Sequence, residues 1–299
     1  MNVHPDIKAE LGDRPRFGFT NEELAQHPTV YRNDLLMDQT IIISGGGTGI
    51  GKAMAFLAAR LGGNVVLCGR TAAKLEDTQN ALEQLVGRRP MAVPMSIREP
   101  DQVEAMLDTV LDRYGRIDTL INNAGGQFPQ NAIDFSRKGW LAVMDLNLNG
   151  TWWMMQEAAK RWVASGTPGN IVNIVATTER GMPQSAHCTA ARSGILYLSK
   201  TVSTEWAPHK IRVNCVAPGI VETEGFSVYP DAALERFHLA NPMKRRGDAW
   251  DIAEAVIYLS APSGKFITGE VLTVDGGQNQ WGVNWPAGIP DYFNINGAA

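Results

Sequence analysis

The chain has 299 residues, 27 Lys plus Arg against 31 Asp plus Glu, and a formal charge of −4. That length fits one large α/β domain with added segments, and 44% hydrophobic residues supply an ample core. The mildly acidic balance argues against nucleic-acid and anionic-membrane partners; three cysteines exclude a dense disulfide framework, and without a Cys-x-x-Cys pair no metal is expected.

Residues 1–37 read as an N-terminal extension: Pro5, Pro15 and Pro28, mixed charge and weak periodicity, with a short helix at Asn21-Glu-Glu-Leu-Ala-Gln. The charged start is not a signal peptide, no apolar run approaches the ~20 residues of a membrane helix, and a cytoplasmic setting is the expectation. Regular alternation begins at about residue 38. Strands are predicted at Thr40-Ile-Ile-Ile, Asn64-Val-Val-Leu-Cys, Met91-Ala-Val-Pro-Met, Thr119-Leu-Ile, 170–175, 211–216 and 270–274. Helices are predicted at 50–61, 71–86, 100–114, 137–163 with an interruption, 186–206, 231–239 and 248–260. Continuous apolar strands separated by helices mean a doubly wound parallel sheet with helices on both faces, here over residues 38–278. Residues 279–299 form a tail whose Trp281, Trp285, Tyr292 and Phe293 are expected to pack on the body or on a partner subunit.

Ser44-Gly-Gly-Gly-Thr-Gly-Ile-Gly51 joins the first strand to the first helix, and Gly45, Gly49 and Gly51 fit G-x-x-x-G-x-G. A sharp turn there brings backbone N–H groups and the positive end of a helix dipole to a pyrophosphate. The strand before and the helix after supply the context that makes such a loop specific. The second strand ends at Cys68-Gly69-Arg70, where an acidic residue would select NAD by binding the ribose 2′-hydroxyl. Arg70 offers instead a guanidinium suited to a 2′-phosphate, which reads as NADP(H). Ser96 and Ile97 follow the third strand and would flank the adenine.

With Asn122-Asn-Ala-Gly125, Asn147-Leu-Asn-Gly150, Pro218-Gly219 with Thr223, and Thr268-Gly269 followed by Asp275-Gly-Gly277, the chain resembles the short-chain dehydrogenase/reductase family over about residues 36–280. The resemblance implies a single Rossmann domain. It implies cofactor contacts from Gly45, Gly47, Thr48, Gly49, Ile50, Arg70, Ser96, Ile97, Asn123, Ala124, Gly125, Arg192, Pro218, Gly219, Ile220 and Thr223. It also implies a homotetramer or homodimer built through the helices at about 100–163 and 186–206, with Trp152 and Trp153 in core or interface.

The family signature Tyr-x-x-x-Lys is broken. Alignment on Arg192-Ser-Gly194 puts Cys188 at the Tyr position and Arg192 at the Lys position, with His187 adjacent. The family Ser falls near Val175, where Thr177 and Thr178 are the nearest hydroxyls, and Asn147 matches the Asn that supports a water relay. Arg192 can bind ribose hydroxyls but cannot exchange a proton at neutral pH. Cys188 beside Arg192 is either a thiol of depressed pKa or a filler of the space left by Tyr.

Asn123-Ala-Gly-Gly-Gln-Phe128, Ser136-Arg-Lys-Gly-Trp140, His187-x-x-Ala-Ala-Arg-Ser-Gly194, Glu205-Trp-Ala207 and Arg212-Val-Asn-Cys-Val-Ala-Pro-Gly219 resemble the peroxisomal trans-2-enoyl-CoA reductase branch, with 2,4-dienoyl-CoA reductases as near relatives. That resemblance implies NADPH-dependent reduction of a conjugated C=C. Hydride addition to the β carbon of an enoyl thioester makes an enolate that needs hydrogen-bond donors rather than a phenol. Asn147, Thr178, Cys188, Arg192 and, further along the helix, Tyr197 are the candidates. Lys200 lies two turns beyond Arg192, too far for the ribose. Residues 222–243 hold the position of the family's substrate loop, and Lys244-Arg-Arg246 is a candidate for CoA phosphates or an ordinary charge cluster. Two other readings stand beside this one: an oxidoreductase of carbonyls, alcohols or imines with a rearranged proton donor, and a dinucleotide-binding protein without turnover.

Overall fold

The computed structural model describes residues 17–229 and 231–281. A short helix, α1 (Asn21–Gln26), precedes β1 (Thr40–Ser44), α2 (Gly49–Arg60), β2 (Asn64–Gly69), α3 (Ala72–Val86), β3 (Met91–Pro94), α4 (Pro100–Tyr114) and β4 (Thr119–Asn122). The second half runs α5 (Arg137–Met144), α6 (Gly150–Ser165), β5 (Gly169–Ile174), α7 (Ala186–Trp206), β6 (Ile211–Pro218), β7 (Val221–Glu222), α8 (Asp231–Leu234), β8 (Gly247–Asp248), α9 (Ala249–Ser260) and β9 (Val271–Val274). Seven strands form one parallel sheet in the order β3-β2-β1-β4-β5-β6-β9, and β7 pairs with β8. The strand order reverses direction between β1 and β4, and a crevice at the carboxyl ends of those strands is where doubly wound sheets take ligands.

Alternation along each strand feeds two cores. Ile41, Ile43, Val65, Leu67, Val172 and Val216 face α2 and α9, while Ile42, Val66, Leu120, Ile171 and Val213 face α4 and α6. Both faces are dry, which is why the strands read as apolar runs. Full burial of each such side chain contributes roughly 1.5–3 kcal/mol.

The interruption expected within 137–163 is a π-helical segment, Asp145–Asn149, between α5 and α6. The helix expected at 231–239 is shorter: α8 stops at Leu234, and a 3-10 turn, Phe237–Ala240, follows. The Leu234 carbonyl accepts from Arg246 Nη2 at 2.7 Å, a side chain taking the bond that a continuing helix would have used. The extension is not an independent appendage from residue 17 onward. Tyr31 Oη donates to the Glu254 carbonyl at 2.9 Å, Trp250 Nε1 donates to the Pro28 carbonyl at 3.0 Å, and Arg60 Nη1 donates to the His27 carbonyl at 2.7 Å. Residues 1–16 and the tail aromatics Trp285, Tyr292 and Phe293 lie outside the described residues.

All three cysteines are free and buried. Burial pushes the Cys68 thiol up to about 12 and the Cys215 thiol to about 11. Below the ordinary thiol pKa both states are protonated and neither thiol affects stability. Above it the unfolded chain ionises first and binds fewer protons, so unfolding becomes easier as pH rises. Urea unfolding is therefore expected to lose roughly 2 kcal/mol per buried thiol between pH 8.5 and 10.5. Cys68→Ala should flatten that slope; an unchanged slope would contradict the burial argument.

Candidate active site

The site starts where β1 and β4 end side by side. Ser44 Oγ accepts from the backbone N–H groups of Asn123 and Ala124, each at 3.0 Å, and Asn123 Nδ2 donates to the Ser44 carbonyl at 3.0 Å. These bonds hold the glycine turn against the Asn123–Gly125 segment. Gly45 has φ +69°, a left-handed conformation that glycine adopts without a Cβ penalty. A methyl on Gly51 would run into the Gly45 carbonyl oxygen and lie 2.6 Å from Asn123 Nδ2. The turn thus has the close backbone approach that a pyrophosphate requires, with α2 opening directly behind it.

Beside it is a cleft of about 420 Å³ lined by Gly45, Gly47, Thr48, Ile50, Arg70, Ser96, Ile97, Asn123, Ala124, Gly125 and Thr223. These are eleven of the sixteen cofactor positions expected from the sequence. Gly49 is not in that lining; a methyl there would sit 3.4 Å from the Thr223 side chain and 3.6 Å from Glu224 Oε2. Lys74 lines the same cleft as Arg70. Sequence reading passed over Lys74, although its place in the first turn of α3, four residues after Arg70, could have shown that the helix returns a second cation to that end.

The cleft runs on, through Ile50, Asn123, Gly125 and Thr223, into a second cavity of about 610 Å³. Arg192, Pro218, Gly219 and Ile220 line this part, with Cys188, Thr177, Ser185 and Gln278. Gln278 Oε1 accepts from the Ile220 backbone N–H at 3.2 Å and so braces the turn after β6. Ser185 and Gln278 were not among the expected site residues; the end of β5, the start of α7 and the turn after β9 bring them together with Thr177 only in three dimensions.

Arg192 is buried, and its Nη1 donates to the Ile174 carbonyl at 2.8 Å. A methyl on Gly125 would overlap Arg192 Nη2 and come within 2.7 Å of Asn147 Oδ1, so the glycine leaves room for the guanidinium. Burial lowers the Arg192 pKa, and the Cys188 sulfur opposes that shift. A guanidinium remains cationic in a protein even so. The depressed thiol pKa considered for Cys188 is corrected: desolvation dominates and pushes the thiol up, although the Arg192 charge and hydrogen bond pull the other way. The net shift favours the protonated S–H over the thiolate.

His187 is fully buried against Phe128 and Phe135, with ring centroids at 4.6 and 4.4 Å, and burial holds its imidazole below the usual range. Its Nδ1 accepts from the Cys188 backbone N–H at 2.7 Å. Asn147, in the π-helical segment, donates to the Gly126 carbonyl at 2.8 Å and accepts from the Gly126 N–H at 3.1 Å. It therefore fixes the Asn123–Gly126 segment rather than lining the cavity. Thr178 Oγ1 accepts from Ser193 Oγ at 2.9 Å, and the neighbouring Thr177 is the one that lines the cavity.

Tyr197 drops out of the donor set, since it lies on the outer face of α7, 68% exposed, with Lys200 Nζ over its ring at 5.2 Å. Trp152 packs against the core and stacks on Trp206. The basic run near 245 is spent within the fold: Arg245 pairs with Asp251 at 2.6 Å, Arg246 with Glu222 at 2.7 Å, and Lys244 lies over the Trp281 ring. The outer wall of the second cavity is aromatic. Phe226, Tyr229 and Phe237 form a triangle with centroid separations of 6.2, 5.3 and 5.3 Å.

A glycine turn at the reversal point of a parallel sheet, a cleft ending in two cations and a cavity bearing a charged helix residue define a dinucleotide-dependent oxidoreductase of the Rossmann class. Comparison with known proteins makes the assignment specific. Residues 45–279 match the family model described as Enoyl-(Acyl carrier protein) reductase. The chain is 34% identical to a peroxisomal 2,4-dienoyl-CoA reductase of Danio rerio over 86% of this chain and 87% of that one. It is also 34% identical to a probable 2,4-dienoyl-CoA reductase of Bacillus subtilis over 80% of this chain and 96% of that one. Among solved structures, a citronellol catabolism dehydrogenase of Pseudomonas aeruginosa PAO1 superposes with a TM-score of 0.75 at 36% identity, covering 84% of this chain and 99% of that one. The protein belongs to the short-chain dehydrogenase/reductase family.

Proposed function

We propose that the protein reduces the conjugated C=C of an unsaturated acyl thioester, such as an enoyl- or dienoyl-CoA, with NADPH as reductant. The observation that carries this reading is a buried cysteine, Cys188, in place of a phenol one turn before Arg192, inside a cavity that continues the dinucleotide cleft. The residues present fit the cofactor. The glycine turn leaves the space a pyrophosphate needs, and Arg70 and Lys74 line the adenosine end of the cleft with charge for a 2′-phosphate. Arg192, Gly125 and Thr223 would hold the nicotinamide half. Bound NADPH would supply the hydride.

The chain's own residues account for the rest of the chemistry. Reduction at the β carbon moves negative charge onto the thioester oxygen. Arg192, Thr177 and the Cys188 S–H line the cavity and can face that oxygen with positive charge and hydrogen-bond donors. Asn147 positions the Gly126 peptide beside them. The α carbon takes its proton from water, so no side chain must change its ionisation near pH 7. The triangle Phe226–Tyr229–Phe237 offers apolar cover for an acyl chain. The reading includes a cytoplasmic homotetramer or homodimer assembled through α4–α7.

The test is cofactor consumption, with NADPH and NADH in parallel, over enoyl-CoAs, dienoyl-CoAs, cyclic enones, ketones and imines. Consumption of NADPH with conjugated thioesters is expected, with near-full activity in Cys188→Ser. Turnover confined to ketones, alcohols or imines, with Cys188→Ser losing more than ~2 kcal/mol of transition-state stabilisation, would show that Cys188 is an acid and overturn the reading.

A further inference from the structure

The segment ahead of the Rossmann domain lies against the loop that walls the substrate cavity. Phe17 packs on Phe226 with ring centroids 5.8 Å apart at 59°. Phe226 belongs to the aromatic triangle with Tyr229 and Phe237, and it is the member that meets Phe17. Arg246 lies over the Phe226 ring at 5.9 Å while pairing with Glu222, so the ring is held from two sides. At Gly18 the backbone comes so near the loop that a methyl there would sit 3.6 Å from the Glu224 backbone nitrogen. Gly18, Phe19 and Leu24 share a small cavity with Gly49 and Lys52 of α2 and with Glu222, Thr223 and Glu224 of the loop.

Charge repeats this three-way contact. The largely buried Lys52 feels Glu224 of the loop, Asp77 of α3 and Glu22 of the N-terminal segment. The segment is itself firmly seated: His27 stacks on Trp250 at 4.7 Å, Phe19 meets His27 edge-on at 5.1 Å, and Arg60 donates to the Leu24 carbonyl at 3.1 Å. A seated strap pressing one aromatic ring onto a loop is a positioning device, because the loop is made only of short 3-10 turns and the four-residue α8.

We propose that residues 17–31 brace the wall of the substrate site from behind, with Phe17 as a positioning residue that sets the Phe226–Tyr229–Phe237 wall and hence the length of apolar chain the cavity accepts. This rests on the acyl-thioester reading above. Phe17 does not line the cavity; it acts through Phe226.

The test uses the full-length protein, Phe17→Ala and the conservative Phe17→Leu. Hydrogen exchange over residues 222–240 is expected to quicken in Phe17→Ala, with the glycine turn unaffected. KM for a long-chain enoyl-CoA should rise roughly tenfold, while kcat, KM for a short-chain enoyl-CoA and NADPH affinity stay near wild type. Phe17→Leu should restore most of both. Unchanged exchange over 222–240 would overturn the proposal, as would a KM that rises equally at every chain length. If the wild type consumes NADPH with no conjugated thioester, the functional reading fails on its own, and the exchange measurement still decides whether the strap holds the loop.

Discussion

Replacing Arg192 with Met is expected to weaken NADPH binding and kcat/KM together, by about 10- to 150-fold. Arg192 is the cation inside the second cavity, and its Nη1 satisfies the Ile174 carbonyl at the end of β5. Hydrogen bonds to charged groups contribute roughly 1.5–3 kcal/mol each, and removing this donor leaves a carbonyl buried and unpaired as well. Met fills much of the volume, so the core should hold while the ribose and the substrate oxygen lose their positive neighbour. Fluorescence titration with NADPH and steady-state kinetics read the two effects. NADPH affinity within roughly twofold of wild type would mean that the guanidinium braces β5 and does nothing for the ligand. Arg192→Lys is the informative control, because it returns the family's residue type: it should recover ribose binding more fully than Met does.

Gly51→Ala is expected to cost about 3 kcal/mol of folding stability, the upper end for forcing extra volume into a packed site, and to abolish measurable dinucleotide binding. The added carbon would meet the Gly45 carbonyl oxygen, Asn123 Nδ2 and the Gly45 carbonyl carbon. Backbone on one side and a doubly bonded amide on the other leave nothing flexible to give way. The turn must open, and opening moves the N–H groups that a pyrophosphate would use. Differential scanning calorimetry should show a lowered Tm, and calorimetric titration should show no NADPH heat. Wild-type affinity in this variant would remove the glycine turn from the site.

Much of the molecule was legible before its fold was seen. The strands read as uninterrupted β-branched runs because both sheet faces are covered, and the glycine turn read as a phosphate cradle because its flanking strand and helix stand in the same stretch of chain. Arg70, Ser96, Ile97, Asn123 and Gly125 line the cleft for the same reason: each lies within three residues of the carboxyl end of a strand. What escaped reading depends on distance through space. Lys74 was missed because α3 turns it back over the cleft. Thr177 and Thr178 are adjacent, and only the Ser193 hydroxyl on α7 decides that Thr178 is occupied and Thr177 is open to the cavity.

The amino-acid order by itself determined the parallel α/β plan and the glycine turn between the first strand and the first helix, because both are written in neighbours a few residues apart. Tertiary structure alone decided which way the Cys188 thiol shifts. Adjacency on a helix put Arg192 one turn away and left open a lowered thiol pKa or a plain space-filler, yet burial outweighs that charge and pushes the thiol up. It also decided that residues from 17 onward reach the loop that carries Phe226, since a contact between Phe17 and Phe226 spans most of the chain and no local pattern announces it. Desolvation and long-range packing are properties of the assembled interior, which no single stretch of the chain contains.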